Sequence, residues 1–391
     1  MKSRCGTPGR SLSLILCAAA LALAPGRAGA QTEPTVPEVE ESDVATLPPV
    51  QPHWIMLSPA FTTGAGRLFD GDTGKMLGSL HMSSLSVAQF DPLGRYIYVA
   101  ESIWSKGNRG TRQDMITVYD SKTLKLVTEI PLPGRLLTGE HRYLMDISAD
   151  GKRAYVYTML PSASVIVVDL VKRKVERTVE IGGCGMAYAV GNDKVAALCG
   201  DGTYATLDLA HGAAQVTQSQ PFFKPDDDPV FDNSIVDSKT GKAVFLSYSG
   251  LVYQTTIGTD APVEAGWSLQ EAAGMPRVTS DPLKPSWLPG GRQLMAFHPA
   301  SNRLYVLMHM GEYWSMKENG TELWTVDLAR HKVVRRTRLA KPVRGLWVSP
   351  DAKPQLYLLA GGNLDVVDAA SLETVQTFED VGYGLLAGPA R

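Results

Sequence analysis

The stretch "VIVVDLVKRKVERTVEI", Val165–Ile181, decides the fold of this chain. A run rich in β-branched residues ends at Asp169, a polar turn follows, and a second alternating run begins. Two such runs on either side of a short polar turn predict a β-hairpin. The same unit recurs at Arg67–Leu80, Ile116–Ile130, Tyr204–Gln218, Leu323–Leu339 and Leu364–Phe378.

Each of these hairpins carries an aspartate where its first strand ends. An aspartate side chain at such a place accepts hydrogen bonds from nearby backbone N–H groups, so a turn function is predicted and a catalytic one is not. The aspartates are Asp70, Asp120, Asp169, Asp208, Asp327 and Asp368.

A second recurring unit stands between the hairpins. It consists of a strand, a turn of Pro, Asp or Gly residues, and another strand. Its copies are Phe90–Ala100, Ile147–Met159, Phe297–Met308 and Val348–Ala360.

The aspartates recur about every 40–50 residues, and four short strands in a repeat of this length are typical of a β-propeller. The wider gap between Asp208 and Asp327 requires one more copy, and Ser249–Gly266 fits a degenerate copy without the aspartate. The sequence therefore predicts a seven-bladed β-propeller of four-stranded antiparallel blades over residues 51–391. The alternative, two separate β-sandwiches, fits the even repetition poorly.

The N-terminus has the pattern of a secretory signal peptide. Lys2, Arg4 and Arg10 precede the apolar run Leu12–Ala24, and the small residues 28–30 precede Gln31. This order predicts residues 1–30 as a signal peptide cleaved after Ala30, and hence export to the periplasm. Residues 31–50 are acidic and rich in proline, so we expect an N-terminal arm that packs only if a partner holds it.

Cleavage would remove Cys5 and Cys17 and leave Cys184 and Cys199 as the cysteines of the mature chain. In an oxidising compartment a lone pair of cysteines is most simply a disulfide. A metal site would need more ligands, and a catalytic thiol would need a neighbouring base.

Little else in the sequence suggests chemistry in this chain. The formal net charge of −2 gives no broad basic field, which argues against a nucleic-acid partner. The histidines form no zinc motif and no nucleophile elbow is present. The acidic run of Lys224–Pro229 favours a solvated loop over a calcium site. We therefore predict no catalytic, cofactor-binding or metal-binding residue here.

Four stretches together resemble the heavy chain of the quinoprotein amine dehydrogenases. They are "RGTRQDMITVYD" at Arg109–Asp120, the cysteine pair with "CGDG" at Cys199–Gly202, "DDPVF" to "SYSGLVY" at Asp227–Tyr253 with "GWSL" at Gly266–Leu269 downstream, and "WLPGG" followed by "HPASNRLYVLMH" within Trp287–His309. Pro299 stands where that family usually has Arg. The "CGDG" and "GWSL" stretches are more similar to the aromatic amine dehydrogenase type than to the methylamine dehydrogenase type.

The resemblance implies a subunit of a periplasmic enzyme that oxidises a primary amine to an aldehyde and ammonia. It implies an α2β2 heterotetramer in which the light subunit carries tryptophan tryptophylquinone and passes electrons to a cupredoxin, azurin or amicyanin. The light subunit of that family is rich in cysteine, so this chain would be the heavy one. Its own tryptophans, among them Trp104, Trp267, Trp287, Trp314 and Trp347, are then expected in the core or at an interface.

A basic loop within Ser102–Asp114 is the predicted interface with the light subunit, because Lys106, Arg109 and Arg112 could dock a carboxylate. A solvated loop paired inside its own blade, for example Arg109 with Asp114, fits the same residues. A different class also stays open, namely a solitary exported propeller that binds ligands or acts like a lactonase.

Overall fold

A computed structural model describes residues 46–61, 64–107, 109–278 and 283–389. The predicted signal peptide and the arm up to residue 45 lie outside these ranges. The strands, in chain order, are β1 (Trp54–Leu57), β2 (Gly64–Asp70), β3 (Lys75–Met82), β4 (Val87–Phe90), β5 (Tyr96–Trp104), β6 (Arg112–Asp120), β7 (Leu126–Leu132), β8 (Met145–Ile147), β9 (Arg153–Thr158), β10 (Ser164–Asp169), β11 (Lys174–Glu180), β12 (Cys184–Val190), β13 (Lys194–Cys199), β14 (Tyr204–Asp208), β15 (Gln215–Gln218), β16 (Ile235–Val236), β17 (Lys242–Leu246), β18 (Leu251–Thr256), β19 (Trp267–Ser268), β20 (Ser286–Pro289), β21 (Met295–His298), β22 (Arg303–Gly311), β23 (Gly320–Asp327), β24 (Lys332–Val343), β25 (Gly345–Val348), β26 (Gln355–Ala360), β27 (Asn363–Asp368), β28 (Thr374–Phe378) and β29 (Leu386–Ala387). One short helix, α1 (Leu269–Ala272), and the 3₁₀ turns Arg142–Leu144 and Pro299–Ser301 interrupt them.

The strands form seven antiparallel sheets, which confirms the predicted seven-bladed β-propeller. Blade 1 has the order β29-β1-β2-β3, and blades 2 to 5 contain β4–β7, β8–β11, β12–β15 and β16–β19. Blade 6 is β20-β22-β23-β24 with β21 also paired to β22, and blade 7 is β25–β28. The buried apolar side chains lie between adjacent blades, where the sheet faces meet.

The antiparallel order places the connections on two faces. One of them, which we call the crossover face, carries the links between blades and the links between the second and third strands of each blade. Among the described residues, those connections are 58–61, 83–86, 105–107, 109–111, 133–144, 159–163, 181–183, 200–203, 219–234, 247–250, 269–278, 283–285, 312–319, 344, 361–362 and 379–385. The opposite turn face carries the remaining, mostly short, turns.

All six repeat aspartates act as turn residues on the turn face, as predicted. Asp169 Oδ1 accepts from the N–H groups of Val171 and Lys172 at 3.0 and 2.8 Å, and Asp368 Oδ1 accepts from Ser371 N–H at 2.7 Å. Equivalent bonds are made by Asp70, Asp120, Asp208 and Asp327. These bonds lower the pKa of Asp368.

The predicted degenerate copy is blade 5. In blade 3, Leu170 directly follows Asp169, and its N–H donates to Lys152 O at 2.9 Å. Ile257 N–H makes the equivalent bond to Gly241 O, also at 2.9 Å. Thr256 therefore occupies the aspartate position, and the hydroxyl of Thr259 donates to its carbonyl at 2.7 Å instead.

Blade 6 differs from the predicted four strands. Its second strand, β22, is longer than β21, the inner strand that pairs with its first half. The surplus Met308–Gly311 pairs with β20, because these backbone groups would otherwise lack partners.

The ring closes through β29, which pairs with β1 in the register Met56↔Ala387 and Leu57↔Leu386. The last residues thus supply the innermost strand of the first blade. The inner edge of β29 is completed by Gln293, whose side-chain amide bonds both backbone groups of Leu386: Leu386 N–H donates to Oε1 at 2.6 Å, and Nε2 donates to Leu386 O at 2.9 Å. Gln293 is buried, so both bonds form away from water.

Cys184 and Cys199 form the predicted disulfide. They stand directly opposite each other on β12 and β13, at the crossover-face end of blade 4. Their Cα atoms are 3.9 Å apart. The bond joins neighbouring strands and leaves both cysteines unavailable for other chemistry.

Gln293→Leu should lower the free energy of unfolding by about 1–3 kcal/mol, because it leaves the N–H and C=O of Leu386 buried without partners. Urea unfolding measures the change. Gln218→Leu, on the exposed outer strand β15, is the control and should change stability little. Equal effects of the two substitutions would contradict the closing function of Gln293.

Replacing both Cys184 and Cys199 by Ser should cost about 2–4 kcal/mol of stability. The thermal midpoint of the native chain should fall to that of the double variant when dithiothreitol is added. The double variant itself should not respond to the reductant, and a native chain that does not respond either would argue against a stabilising disulfide.

Candidate functional site

Arg112, one of the three basic residues predicted at an interface, is bound inside its own blade. Its Nε lies 2.8 Å from Asp114 Oδ1, and its Nη2 donates to Arg135 O at 2.6 Å. The guanidinium also lies 5.8 Å from the ring centroid of Trp104. Asp114 thus pairs with Arg112 and not with Arg109.

This ion pair continues into the blade as a chain of hydrogen bonds. Ser102 Oγ donates to Asp114 Oδ1 at 2.5 Å, and Arg135 Nε donates to Ser102 Oγ at 2.9 Å. Arg135 Nη2 reaches Leu85 O at 2.7 Å. Arg135 is 2% exposed, and this burial lowers its pKa to about 10. The network stabilises the crossover-face end of blade 2.

Lys106 and Arg109 lie in the exposed turn between β5 and β6, on the crossover face. The turn is closed by backbone bonds, Lys106 N–H to Arg109 O and Ser105 N–H to Thr111 O, both 3.0 Å. Within the described part of the chain, no hydrogen bond or ion pair holds either basic side chain. These two charges therefore face solvent, and their proposed contact with a light subunit remains a prediction.

The crossover face also carries an aromatic patch, which we define as Phe231, Tyr248, Tyr313 and Trp314. The Trp314 ring contacts Tyr313 edge-on at 4.7 Å and Tyr248 at 6.4 Å between centroids. Tyr248 in turn packs on Phe231 at 4.6 Å. Trp314 is 56% exposed, whereas Tyr313 and Phe231 beneath it are buried.

Tyr313 fixes this patch to the body of the propeller. Its hydroxyl donates its one hydrogen to Asp227 O at 2.6 Å and shares it with Asp228 Oδ1 at 3.0 Å. Asp228 accepts in addition from the N–H and hydroxyl of Ser249 at 2.8 and 2.6 Å. Burial, and then the charge of Asp228, raise the pKa of Tyr313, so its hydroxyl remains a donor. The acidic run Asp226–Asp228 is thus partly a structural brace, which the sequence did not reveal.

Further apolar side chains are exposed on the same face. They include Phe61, Met159, Leu160, Met310 and Tyr383. Together with Trp314 they give the crossover face more exposed large apolar residues than the turn face has in the described part of the chain. The other exposed large apolar residues of the described chain lie mainly on outer strands and on the turn face.

The central channel contains a cavity of about 130 Å³, lined by the innermost strands of several blades. Arg142 reaches across it, and its guanidinium lies 3.9 Å from the Trp347 ring centroid and 5.0 Å from that of Tyr143. Asp146 also lines it, and burial raises the pKa of this carboxyl to about 6. Its two oxygens accept from the N–H groups of Ile147 and Ala189, both at 2.9 Å.

The described residues contain no group of three or more His, Cys, Asp or Glu side chains arranged to hold a metal ion. Among them, too, no helix is long and apolar enough to cross a lipid bilayer.

Of the five tryptophans named from the sequence, Trp347 lies in the core, while an interface position of the others remains a prediction. Trp347 is buried, and Trp104, Trp267 and Trp287 are half-buried. The aromatic ring of Trp287 lies 6.1 Å from Trp324, and Arg336 stacks on both at 4.9 Å. Only Trp314 of the five is well exposed.

The family model described as methylamine dehydrogenase heavy chain matches residues 55–386, almost the whole propeller. This chain belongs to the methylamine dehydrogenase heavy chain family. It is therefore a subunit of an amine dehydrogenase, as the sequence resemblance predicted. Curated relatives carry the same description: that of Paracoccus versutus is 26% identical over 367 residues, 91% of this chain and 82% of its own. That of Methylobacillus flagellatus is 27% identical, and the match covers 90% of each chain.

Solved structures support the fold alone. A functionally unknown protein from Desulfotomaculum acetoxidans superposes with a TM-score of 0.60 at 12% identity, covering 86% of this chain and 99% of its own. The dihydro-heme d1 dehydrogenase NirN gives a TM-score of 0.51 at 15% identity, covering 84% of this chain and 64% of its own.

Arg112→Gln should lower the free energy of unfolding by about 1–3 kcal/mol, because Asp114 and the carbonyl of Arg135 lose a charged donor. Arg109→Gln, in the same loop, should change it by less than about 0.5 kcal/mol. Denaturant unfolding of both variants provides the comparison, and equal losses would show that the loop as a whole, and not the Arg112 pair, stabilises blade 2.

Proposed function

We propose that this chain is the heavy subunit of a periplasmic amine dehydrogenase and that it binds a quinone-bearing light subunit on its crossover face. The proposal is supported by family membership together with the exposed Trp314, which is held over buried aromatic rings. Rigid Trp and Tyr side chains are the residues that most often dominate the free energy of protein association. Lys106 and Arg109 lie on the same face and would contact carboxylates at the rim of the interface.

In this proposal the reaction takes place on tryptophan tryptophylquinone in the light subunit, where the quinone would accept two electrons from the amine, and one water molecule would supply the aldehyde oxygen as ammonia is released. The tryptophans of this chain would not form the cofactor: Trp324, for example, is fully buried and its Nε1 donates to Glu322 at 2.8 Å. The crossover face would position the light subunit, cover its quinone from bulk water and form one wall of the substrate entrance. Two copies of each subunit would make an α2β2 heterotetramer.

The signal-peptide pattern supports export of the chain to the periplasm, with cleavage after Ala30. Azurin or amicyanin would accept the electrons from the light subunit. The "CGDG" and "GWSL" stretches support an aromatic amine as substrate, although the curated relatives are described as methylamine dehydrogenases.

Purification of the chain from its native periplasm tests the proposal. A small band that stains for quinone on a denaturing gel and co-purifies with this chain is the expected result. Dye reduction with phenethylamine and with methylamine then distinguishes the two substrate types. A chain that purifies without a quinone-bearing partner would overturn the proposal and favour a solitary binding propeller.

Trp314→Ala should raise the dissociation constant of the light subunit by at least about tenfold, because it removes the exposed ring at the centre of the patch. Val375→Ala, on the exposed outer strand β28, serves as the matched control and should leave binding unchanged. Association is measured by sedimentation of the mixed subunits. Equal binding by both variants would place the light subunit elsewhere on the propeller.

A further inference from the structure

His53 lies on the turn face at the seam where the first and last blades meet. It directly precedes β1, and its carbonyl accepts from Gly71 N–H of blade 1 at 2.9 Å and from the Tyr357 hydroxyl of blade 7 at 2.7 Å. The imidazole is 14% exposed. The backbone of His53 thus already joins the two blades that ring closure brings together.

The imidazole itself lies between two carboxylates, one from each blade. Nδ1 is 2.6 Å from Asp72 Oδ1, in the turn between β2 and β3. Nε2 is 3.0 Å from Asp351 Oδ1 and 3.3 Å from Lys353 O, in the turn between β25 and β26. Both ring nitrogens therefore face oxygen acceptors that lie on opposite sides of the seam.

Only the charged ring satisfies this arrangement. A neutral imidazole has one N–H, so it can donate to one carboxylate while its other nitrogen presents a lone pair to the second. The imidazolium has two N–H groups and donates to both. Protonation therefore turns two contacts, of which one is repulsive, into two charged hydrogen bonds across the seam.

The other groups around the ring do not cancel this preference for the charged imidazolium. Gln355 Nε2 donates to Asp72 Oδ1 at 3.1 Å, and Ser349 Oγ donates to Asp351 Oδ1 at 2.7 Å, so both carboxylates are held in place. Lys353 contacts the ring through its carbonyl and donates its N–H to Asp351 at 3.1 Å. Burial works to lower the pKa of His53, but the hydrogen bond to Asp72 and the charges of Asp351 and Asp72 outweigh it and raise that pKa above 6.5.

We propose that His53 is a proton-controlled latch that holds the first blade to the last, so that the ring is closed more firmly at acid than at alkaline pH. The latch acts beside the β29–β1 pairing, and both join the start of the propeller to its last part.

The direction of the pH effect follows from linkage. Because folding raises the pKa of His53, its stabilisation is fully present below 6.5, the ordinary value, and is lost as the pH rises through the folded-state value above it. Many carboxylates of this propeller have the opposite dependence, since their pKa values are lowered by folding. Their contribution is lost on acidification, below the pH window of the latch.

Thermal unfolding of the purified full chain between pH 5.5 and 8.5 tests the latch, compared with His53→Gln and with the control His81→Gln on the exposed part of β3. Glutamine can donate to one carboxylate and does not titrate. The midpoint of His53→Gln should lie roughly 2 °C or more below that of the native chain at pH 5.5, and this gap should close above neutrality. His81→Gln should follow the native chain at every pH. A gap that stays constant or widens with pH would overturn the proposal.

Hydrogen exchange provides a local measurement that does not depend on global unfolding. Peptides containing β1 and β29 should exchange faster in His53→Gln than in the native chain at pH 6, and equally fast at pH 8.5. If His53→Gln does not fold, Asp72→Asn is the substitute, because that side chain is 57% exposed and the change removes one carboxylate charge while it keeps an amide oxygen. Unchanged exchange at the seam in a folded variant would contradict the latch. These measurements need no light subunit, so their outcome is separate from that of the proposed function.

Discussion

Closure of the ring depends on a strand of two residues, β29, and on the side chain that completes it. An innermost strand has a sheet neighbour on one side only, and its other edge faces the central channel. Gln293 places an amide there, and this amide makes the same pair of bonds with Leu386 that a neighbouring strand would make. The residue also bonds through its backbone to Arg344 and Leu346, so the sixth blade, the seventh and the closing strand meet at one residue. Without it the seam would have an unpaired buried edge, which proteins rarely tolerate.

The two faces of the propeller are built by different means. On the turn face a single device, an aspartate that binds nearby backbone N–H groups, is repeated in six blades. Short, self-satisfied turns leave few groups to recognise another protein. The crossover face instead carries connections that differ widely in length, from the single residue 344 to residues 219–234. A surface that differs from blade to blade can bind a partner in one orientation only, which a repetitive surface cannot.

The sequence predicted the parts of this fold that local chemistry determines. The repeat aspartates, the disulfide and even the degenerate blade 5 could be found, because turn residues and alternating strands leave a pattern within one repeat. Strand β29 left none, since two residues become a strand only through their pairing with β1, more than 300 positions away. The extra strand of blade 6 was missed for the same reason. Arg112 shows the corresponding limit at the candidate site: three basic residues in one loop look equivalent, yet the structure commits one of them to Asp114 and leaves the other two in solvent.

Trp314 and the basic loop offer two sources of binding energy on one face, and their physics differs. Lys106 and Arg109 are fully hydrated, so a contact with a carboxylate exchanges one favourable environment for another and is screened by salt. Such charges accelerate and orient an encounter more than they hold a complex together. The Trp314 ring is already fixed by Tyr313 and Tyr248, so little side-chain entropy remains to be lost when a partner covers it. In the proposed interface its apolar surface would then contribute its transfer free energy almost undiminished, and for this reason the aromatic patch, and not the basic loop that the sequence singled out, would be the stronger determinant of affinity for a light subunit.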